Sequence, residues 1–353
     1  MKLLYAYRYG IVGGVSTQLL LRKRALEQAG FQCELFFTQD NGLRQVLPAG
    51  IEGVHFGNLS AFRQLAAKGR FDAVVVIDTP ELLSLAAGPL WRRNRVFLDV
   101  HTTTQTGLSY LDGLSIKYLA GIMVPSAYSA RLVERRRPDW RARIHVIANL
   151  LNTEVFTPAE PVTPVRSGPQ FIWVGKLDKH KNWRLALIYA RLLKDLLGDM
   201  HLYVVGGYTA PEATAEAFFE LAYRLDISDV ITWLDRVENV QLARLYHRCA
   251  HSGGAMLVTS RDESFGMAAA EALLCGCPLI TNDLPVFREV FPESSMVQRV
   301  DIWQPGQVAS AVERLSRGVA TKDECLNLYE TLRTRYGVSA FVAALRGVMG
   351  SGA

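Results

Sequence analysis

Short apolar runs rich in Val, Ile, Leu and Phe alternate along this chain with longer segments whose apolar positions recur about every three or four residues. Runs of the first kind read as strands buried on both faces, and segments of the second as amphipathic helices. In the first half the predicted strands are Lys2–Tyr7, Cys33–Phe37, Ala73–Ile77, Val96–Val100, Ile122–Val124 and His145–Ile147. Helices are predicted between them, among them Val15–Gln28, which Gly30 stops, and Gly107–Leu119.

The pattern breaks after Thr157, where Pro158, Pro161, Pro164 and Pro169 crowd a stretch with few large apolar residues, the mark of a linker. It then restarts with strands predicted at Phe171–Val174, His201–Val205, Val230–Leu234, Ala255–Thr259 and Leu279–Thr281, each followed by a helix. Repeated strand–helix units imply parallel sheets, so the expected fold class is α/β, with two Rossmann-like doubly wound domains at 1–165 and 166–330. Sheets of this kind bind ligands beyond the carboxyl ends of their strands. A last helical stretch, Lys322–Met349, has no local partner.

Length and composition agree with that picture. At 353 residues the chain exceeds what one core usually organises. An apolar fraction of 49% with 21% charged residues is that of a soluble globular protein without long disordered tails. The apolar run at Met1–Arg8 is too short for a signal peptide. No stretch approaches the ~18 apolar residues of a membrane span, so no membrane-spanning segment is expected. The five cysteines are odd in number, and a single residue separates Cys275 from Cys277, unlike a redox or zinc pair; reduced thiols in a cytoplasmic protein are expected. The net charge of +5 is uneven: residues 1–165 hold 19 basic and 13 acidic side chains, the remainder 20 and 21. That excess is small and comes with no recognition-helix or RNA-binding pattern, which argues against nucleic acid as a partner. It suggests that the N-terminal half meets something anionic.

Candidate chemistry concentrates in Leu257–Ile280. A strand ends near Thr259, a polar loop carries Glu263, and a helix begins near Gly266 and runs to a stop at Gly276-Cys277-Pro278. The free N–H groups and positive dipole end at Gly266-Met267 suit a diphosphate. Glu271 lies five residues on, about 7 Å along the axis at ~1.5 Å per residue, roughly the reach from a pyrophosphate to its ribose. Glu263, before the helix, can face a transferred sugar; carboxylates accept well from hydroxyls but repel phosphate, so cations are needed nearby. Lys176 and Lys181, just after the strand Phe171–Val174 and Gly175, supply them on the same sheet edge. Two ammonium groups would stabilise a departing diphosphate, a role a metal takes elsewhere. No Asp-x-Asp pair stands at a strand end, and neither a metal site nor a cofactor is expected.

These residues resemble the GT-B glycosyltransferases of the large retaining family 4, in Glu263 and Glu271 with seven residues between, in Ser264-Phe265-Gly266 before the helix, and in Val174-Gly175-Lys176 with Lys181 beyond. Nearly the whole chain takes part: Gly13-Gly14-Val15 matches the family's glycine loop, His101 its active-site histidine, and Val205-Gly206-Gly207 and Leu242–Tyr246 its later landmarks. The resemblance implies that Glu263 holds donor-sugar hydroxyls, Glu271 the ribose, and Lys176 and Lys181 the diphosphate. His101 would lie beside the donor sugar, and backbone near Arg236-Val237 would clamp the base. The donor set is then Gly13, Gly14, Lys176, Lys181, Val237, Glu263, Ser264, Phe265, Gly266, Met267 and Glu271, with His101, Glu263 and Lys181 catalytic. It further implies a cleft between the domains and a return of residues 331–353 to the N-terminal domain. The chain departs from the family in Lys176 for arginine, Thr259 for proline, Asp235 for glycine, and Leu284-Pro285-Val286 for glycines.

The expected activity is therefore retaining transfer of a sugar from a nucleotide-diphosphate donor to an acceptor hydroxyl by front-face displacement. A sugar-nucleotide epimerase and an inactive nucleotide-sugar- or glycan-binding protein are the alternatives. The cluster Arg131, Arg135, Arg136, Arg137, Arg141 and Arg143, interleaved with Leu132, Val133 and Trp140, reads either as a solvated helix end or as a patch for an anionic membrane or acceptor.

Overall fold

Alternation of side chains across buried strands builds two core layers at once in the first half of the chain. The computed structural model describes residues 1–11, 13–48, 50–83, 95–158, 166–317 and 321–350. In β1 (Lys2–Gly10), Leu3 and Tyr5 enter one core layer while Leu4 and Ala6 enter the other. With β2 (Gln32–Asp40), β3 (Val54–Phe56), β4 (Ala73–Ile77), β5 (Arg95–Asp99), β6 (Gly121–Val124) and β7 (Ile144–Val146) it forms a parallel seven-stranded sheet in the order β3-β2-β1-β4-β5-β6-β7. Helix Gly14–Gln28 covers one layer, and helices Leu59–Lys68 and Ala127–Arg136 the other.

The second sheet, also parallel, comprises β8 (Gln170–Val174), β9 (His201–Val205), β10 (Ile231–Leu234), β11 (Met256–Val258), β12 (Leu279–Asn282) and β13 (Val297–Val300), in the order β10-β9-β8-β11-β12-β13. Phe171 and Trp173 of β8, Leu202 and Val204 of β9 and Leu257 of β11 pack against helices Trp183–Leu197 and Pro305–Arg317. The strand order reverses between β1 and β4 in one sheet and between β8 and β11 in the other. Crevices at such reversals are where doubly wound sheets hold ligands.

Contacts divide the chain into Met1–Leu150 with Tyr336–Ala353, and Leu151–Arg335. The division falls at 150 and 335, against expected limits of 165 and 330, because residues just after 150 pack on the second unit. Phe156 lies 6.1 Å from the Tyr246 ring, and the Tyr329 hydroxyl donates to the Thr153 carbonyl at 3.0 Å. The final stretch is two helices, Lys322–Tyr336 and Val338–Gly350, rather than one. Phe341, Val342, Leu345 and Met349 of the latter belong to the core of the first unit.

Two further expectations need correction. Gly107–Leu119 is not an α-helix but two 3-10 turns, Gly107–Gly113 and Ile116–Tyr118. Arg137 donates to the carbonyls of Leu111 and Leu114, and Arg143 to those of Ile116 and Leu119, taking acceptors that a helix would have used. The short strands β3 and β13 went unforeseen; both are sheet edges. No disulfide forms, and four of the five cysteines are buried. Among the described residues no helix is long and apolar enough to cross a membrane.

Leu345 is fully buried in the first unit's core. Leu345→Ala is expected to lower stability by about 2–5 kcal/mol in denaturant titration; a loss near zero would show that the last helix contributes nothing to that core.

Candidate active site

The loops that follow β8 and β11 flank the strand-order reversal of the second sheet, and a part-buried ion pair ties them together. Lys181 Nζ lies 2.5 Å from Glu263 Oε1, and the Ser260 hydroxyl donates to the same oxygen at 2.7 Å. The Glu263 side chain is only 12% exposed. Burial opposes its charge, but the Lys181 ammonium and these hydrogen bonds hold its carboxyl below the usual glutamate range. Thr259 binds the same loops. It accepts from Trp173 Nε1 at 2.9 Å and donates to the Lys181 carbonyl, also at 2.9 Å. A backbone bond from Arg261 N–H to the His180 carbonyl adds a further tie. Lys181, Ser260, Glu263 and Gly266 line one narrow pocket of about 20 Å³.

Gly266 caps helix Met267–Leu274 in the left-handed conformation, with φ 91°, and a Cβ there would meet Phe287 Cε1 at 2.5 Å. Both facts require glycine, and no side chain caps the helix start. Phe265 is buried, while Ser264 and Met267 are half-buried. On the same helix Glu271 is half-buried, and its carboxylate has no hydrogen-bond partner among the described residues. It sits near Tyr246, whose hydroxyl is committed to the Ala268 carbonyl. With burial unrelieved by any partner, its pKa is pushed up to about 8.

Lys176 is exposed and contacts neither glutamate. Its loop is held by Gly206, whose φ of 112° and close approach to the Gly175 carbonyl exclude a side chain. Val237 follows β10 beside the exposed pair Arg236–Glu238.

In the first unit the loop after β5 carries His101. Its Nε2 lies 3.1 Å from Asp99 Oδ1, and Asp99 in turn pairs with buried Arg22 at 2.6 Å. Burial disfavours the Asp99 charge, yet His101 and Arg22 hold its carboxyl well below the usual range. Asp78, just after β4, accepts from the backbone N–H groups of His101 and Thr102 at 3.0 Å each and from the Tyr110 hydroxyl at 2.8 Å. Gly13 precedes helix Gly14–Gln28 without a side-chain cap, and no atom stands within 4 Å of a Cβ built on Gly14. Asp78, Asp99 and Arg22 were not foreseen; a charged residue inside the apolar run Val96–Val100 was the available signal.

The basic cluster is largely consumed internally. Arg136 pairs with Asp112, Arg137 with Asp139, and Arg141 with Glu134, while Arg143 caps carbonyls. Arg131 and Arg135 remain exposed on their helix. A groove of about 710 Å³ is lined by Arg299, Trp303 and Arg314, among others, and by neither Lys181 nor Glu263. Among the described residues no group of three or more His, Cys, Asp or Glu is placed to hold a metal ion.

Residues 161–333 match the family described as Glycosyl transferases group 1. The chain is 27% identical over 189 residues to the O-antigen chain mannosyltransferase RfbU of Salmonella typhimurium, covering 51% of this chain and 49% of that protein. It is 27% identical over 226 residues to a D-inositol 3-phosphate glycosyltransferase of Corynebacterium diphtheriae, covering 56% and 51%. The matched stretch thus spans about half the length of these curated relatives. In fold the whole chain is similar to Anabaena HepE in complex with UDP, with TM-score 0.80, 15% identity and coverage of 99% and 100%. It is likewise similar to a sucrose-phosphate synthase from Thermosynechococcus elongatus, with TM-score 0.79, 15% identity and 99% of each chain covered. The fold is GT-B.

The raised Glu271 carboxyl has a stability consequence. Between the unfolded value near 4.5 and the folded value near 8, the native state holds a proton that the unfolded chain releases, so native stability falls as pH rises through that window. Glu271→Gln removes this term. Its stability relative to wild type is expected to improve from pH 5 to pH 9 in thermal melts, and a pH-independent difference would contradict the half-buried, unpartnered carboxyl.

Proposed function

This chain belongs to the glycosyl transferases group 1, and on that premise we propose that it moves a glycosyl group from a nucleoside-diphosphate sugar to an acceptor hydroxyl, with retention at the anomeric carbon. The observation that carries the reading is the Lys181–Glu263 pair beside the Gly266 helix start, at the reversal point of the second sheet. An ammonium has three donors; one goes to Glu263, which leaves two for diphosphate oxygens beside the N–H groups of the helix start. The Lys181 and Ser260 contacts on Glu263 both fall on Oε1, which leaves Oε2 for sugar hydroxyls. Lys176 adds a second cation to the diphosphate, and the unpartnered Glu271 accepts from the ribose. Backbone near Val237 faces the base. In the first unit His101 contacts a substrate hydroxyl, and the open start of the helix at Gly13-Gly14 admits substrate closely.

The ion pair also bears on mechanism. A carboxyl held ionised by lysine is a poor general acid, which favours hydroxyl binding over the acid and nucleophile couple of a hydrolase. The acceptor oxygen bonds to the anomeric carbon on the face the diphosphate leaves, and the departing phosphate oxygen takes the acceptor proton. Lys176 and Lys181 stabilise the charge that develops there. The names of RfbU and HepE's UDP complex make nucleoside-diphosphate hexoses, mannose among them, the donors to test.

Transfer from a panel of such donors, with NMR of the product anomer, tests the reading. Retention is expected, and Glu263→Gln is expected to lower kcat/KM by about 10- to 100-fold, the scale of one lost charged hydrogen bond. An inverted product, or a Gln variant as active as wild type, would contradict it.

A further inference from the structure

Asp99 is a charged residue in the otherwise apolar, buried run Val96–Val100, and it does not stand alone there. Arg22 and Asp99 have side chains only 2% and 1% exposed, with Nη1 2.6 Å from Oδ2, and Arg22 Nη2 donates to Asn149 Oδ1 at 3.2 Å. Desolvating both ions is costly, and well-packed apolar residues often serve stability as well as such a pair does. Fold stability therefore leaves the pair unexplained. Its second oxygen supplies a reason. Asp99 Oδ1 is buried, lacks any aligned hydrogen bond, and stands 3.1 Å from His101 Nε2. The other ring nitrogen, Nδ1, has no partner among the described residues.

We propose that Asp99, pinned by Arg22, is a positioning residue that keeps the imidazole proton of His101 on Nε2, so that Nδ1 meets the substrate as a hydrogen-bond acceptor. This rests on the reading that His101 contacts a substrate hydroxyl. A guanidinium can only donate, so it claims Oδ2; a carboxylate can only accept, so Oδ1 repels a lone pair on Nε2 and favours a proton there. The other buried carboxylate nearby, Asp78, is spent on the N–H groups of His101 and Thr102 and on Tyr110, so it braces the backbone rather than the ring.

Asp99→Asn inverts the arrangement without changing its shape. Arg22 still demands an oxygen, so the amide NH₂ must turn toward His101. Nε2 must then accept, and the ring proton moves to Nδ1. The test is nitrogen-15 NMR of histidine-labelled protein, with the His101 signal assigned by His101→Gln, alongside transfer kinetics. Wild type is expected to show Nε2–H and Asp99→Asn Nδ1–H, with kcat lower by about 10- to 100-fold, the scale for losing the group that orients a functional imidazole. Arg22→Lys is expected to keep the wild-type pattern. If Asp99→Asn does not melt cooperatively, Arg22→Met/Asp99→Asn removes the stranded charge, and a mixture of both tautomers is expected.

A His101 signal unchanged by Asp99→Asn, or by the double variant where that one is used, would overturn the proposal, as would an inverted tautomer with undiminished turnover. The nitrogen-15 pattern is read in the free protein. Absence of transfer by wild type would therefore fail the transferase reading while the tautomer readout still decided the role of Asp99.

Discussion

A lysine and a glutamate from loops 82 residues apart in sequence meet at 2.5 Å, and the donor site proposed for the second unit depends on that contact. It exists because β8 and β11 are neighbours in the sheet although two strands separate them in the chain. Each strand delivers its loop to the same edge. Thr259 then fastens one loop to the other by accepting from Trp173 and donating to the Lys181 carbonyl. The pair answers a specific problem. A buried carboxylate suited to sugar hydroxyls would resist ionisation and repel phosphate, and one ammonium relieves both while keeping donors to spare.

The first unit solves a related problem with different residues. Arg22 and Asp99 place a compensated charge at the carboxyl end of β5, directly behind His101, and Asp78 fixes the backbone that carries it. Helix, strand and loop each contribute one member, so the imidazole is oriented by elements whose positions the core already sets. Glu271 is the contrast. It has no counter-charge among the described residues, and burial pushes its pKa up to about 8.

Strands with unbroken apolar runs were legible from sequence; Ala73–Ile77 and His201–Val205 are observed with the expected ends. Edge strands β3 and β13 were not, because a short strand paired on one side needs little apolar character. Gly107–Leu119 was misread because its carbonyls are claimed by Arg137 and Arg143, partners more than 20 residues away that local periodicity cannot register. The same limit applies to function. Lys181, Glu263, Gly266 and Glu271 could be picked out by their places at strand ends and a helix start. That Lys181 and Glu263 would bind each other required the adjacency of β8 and β11. Asp99 required Arg22, 77 residues away. The arginines near 136 read from sequence as either a solvated helix end or a patch; the partners they take, carbonyls and Asp112, carry no sequence signature.

The central claim is that the Gly266 helix start and Lys181 together form a diphosphate site. A crystal structure with a bound nucleoside diphosphate measures this directly. The account predicts β-phosphate oxygens within hydrogen-bond distance of the Gly266 or Met267 N–H and of Lys181 Nζ, with the ribose on Glu271. A nucleotide seated instead in the groove beside Trp303, with the Lys181–Glu263 pair untouched, would contradict it.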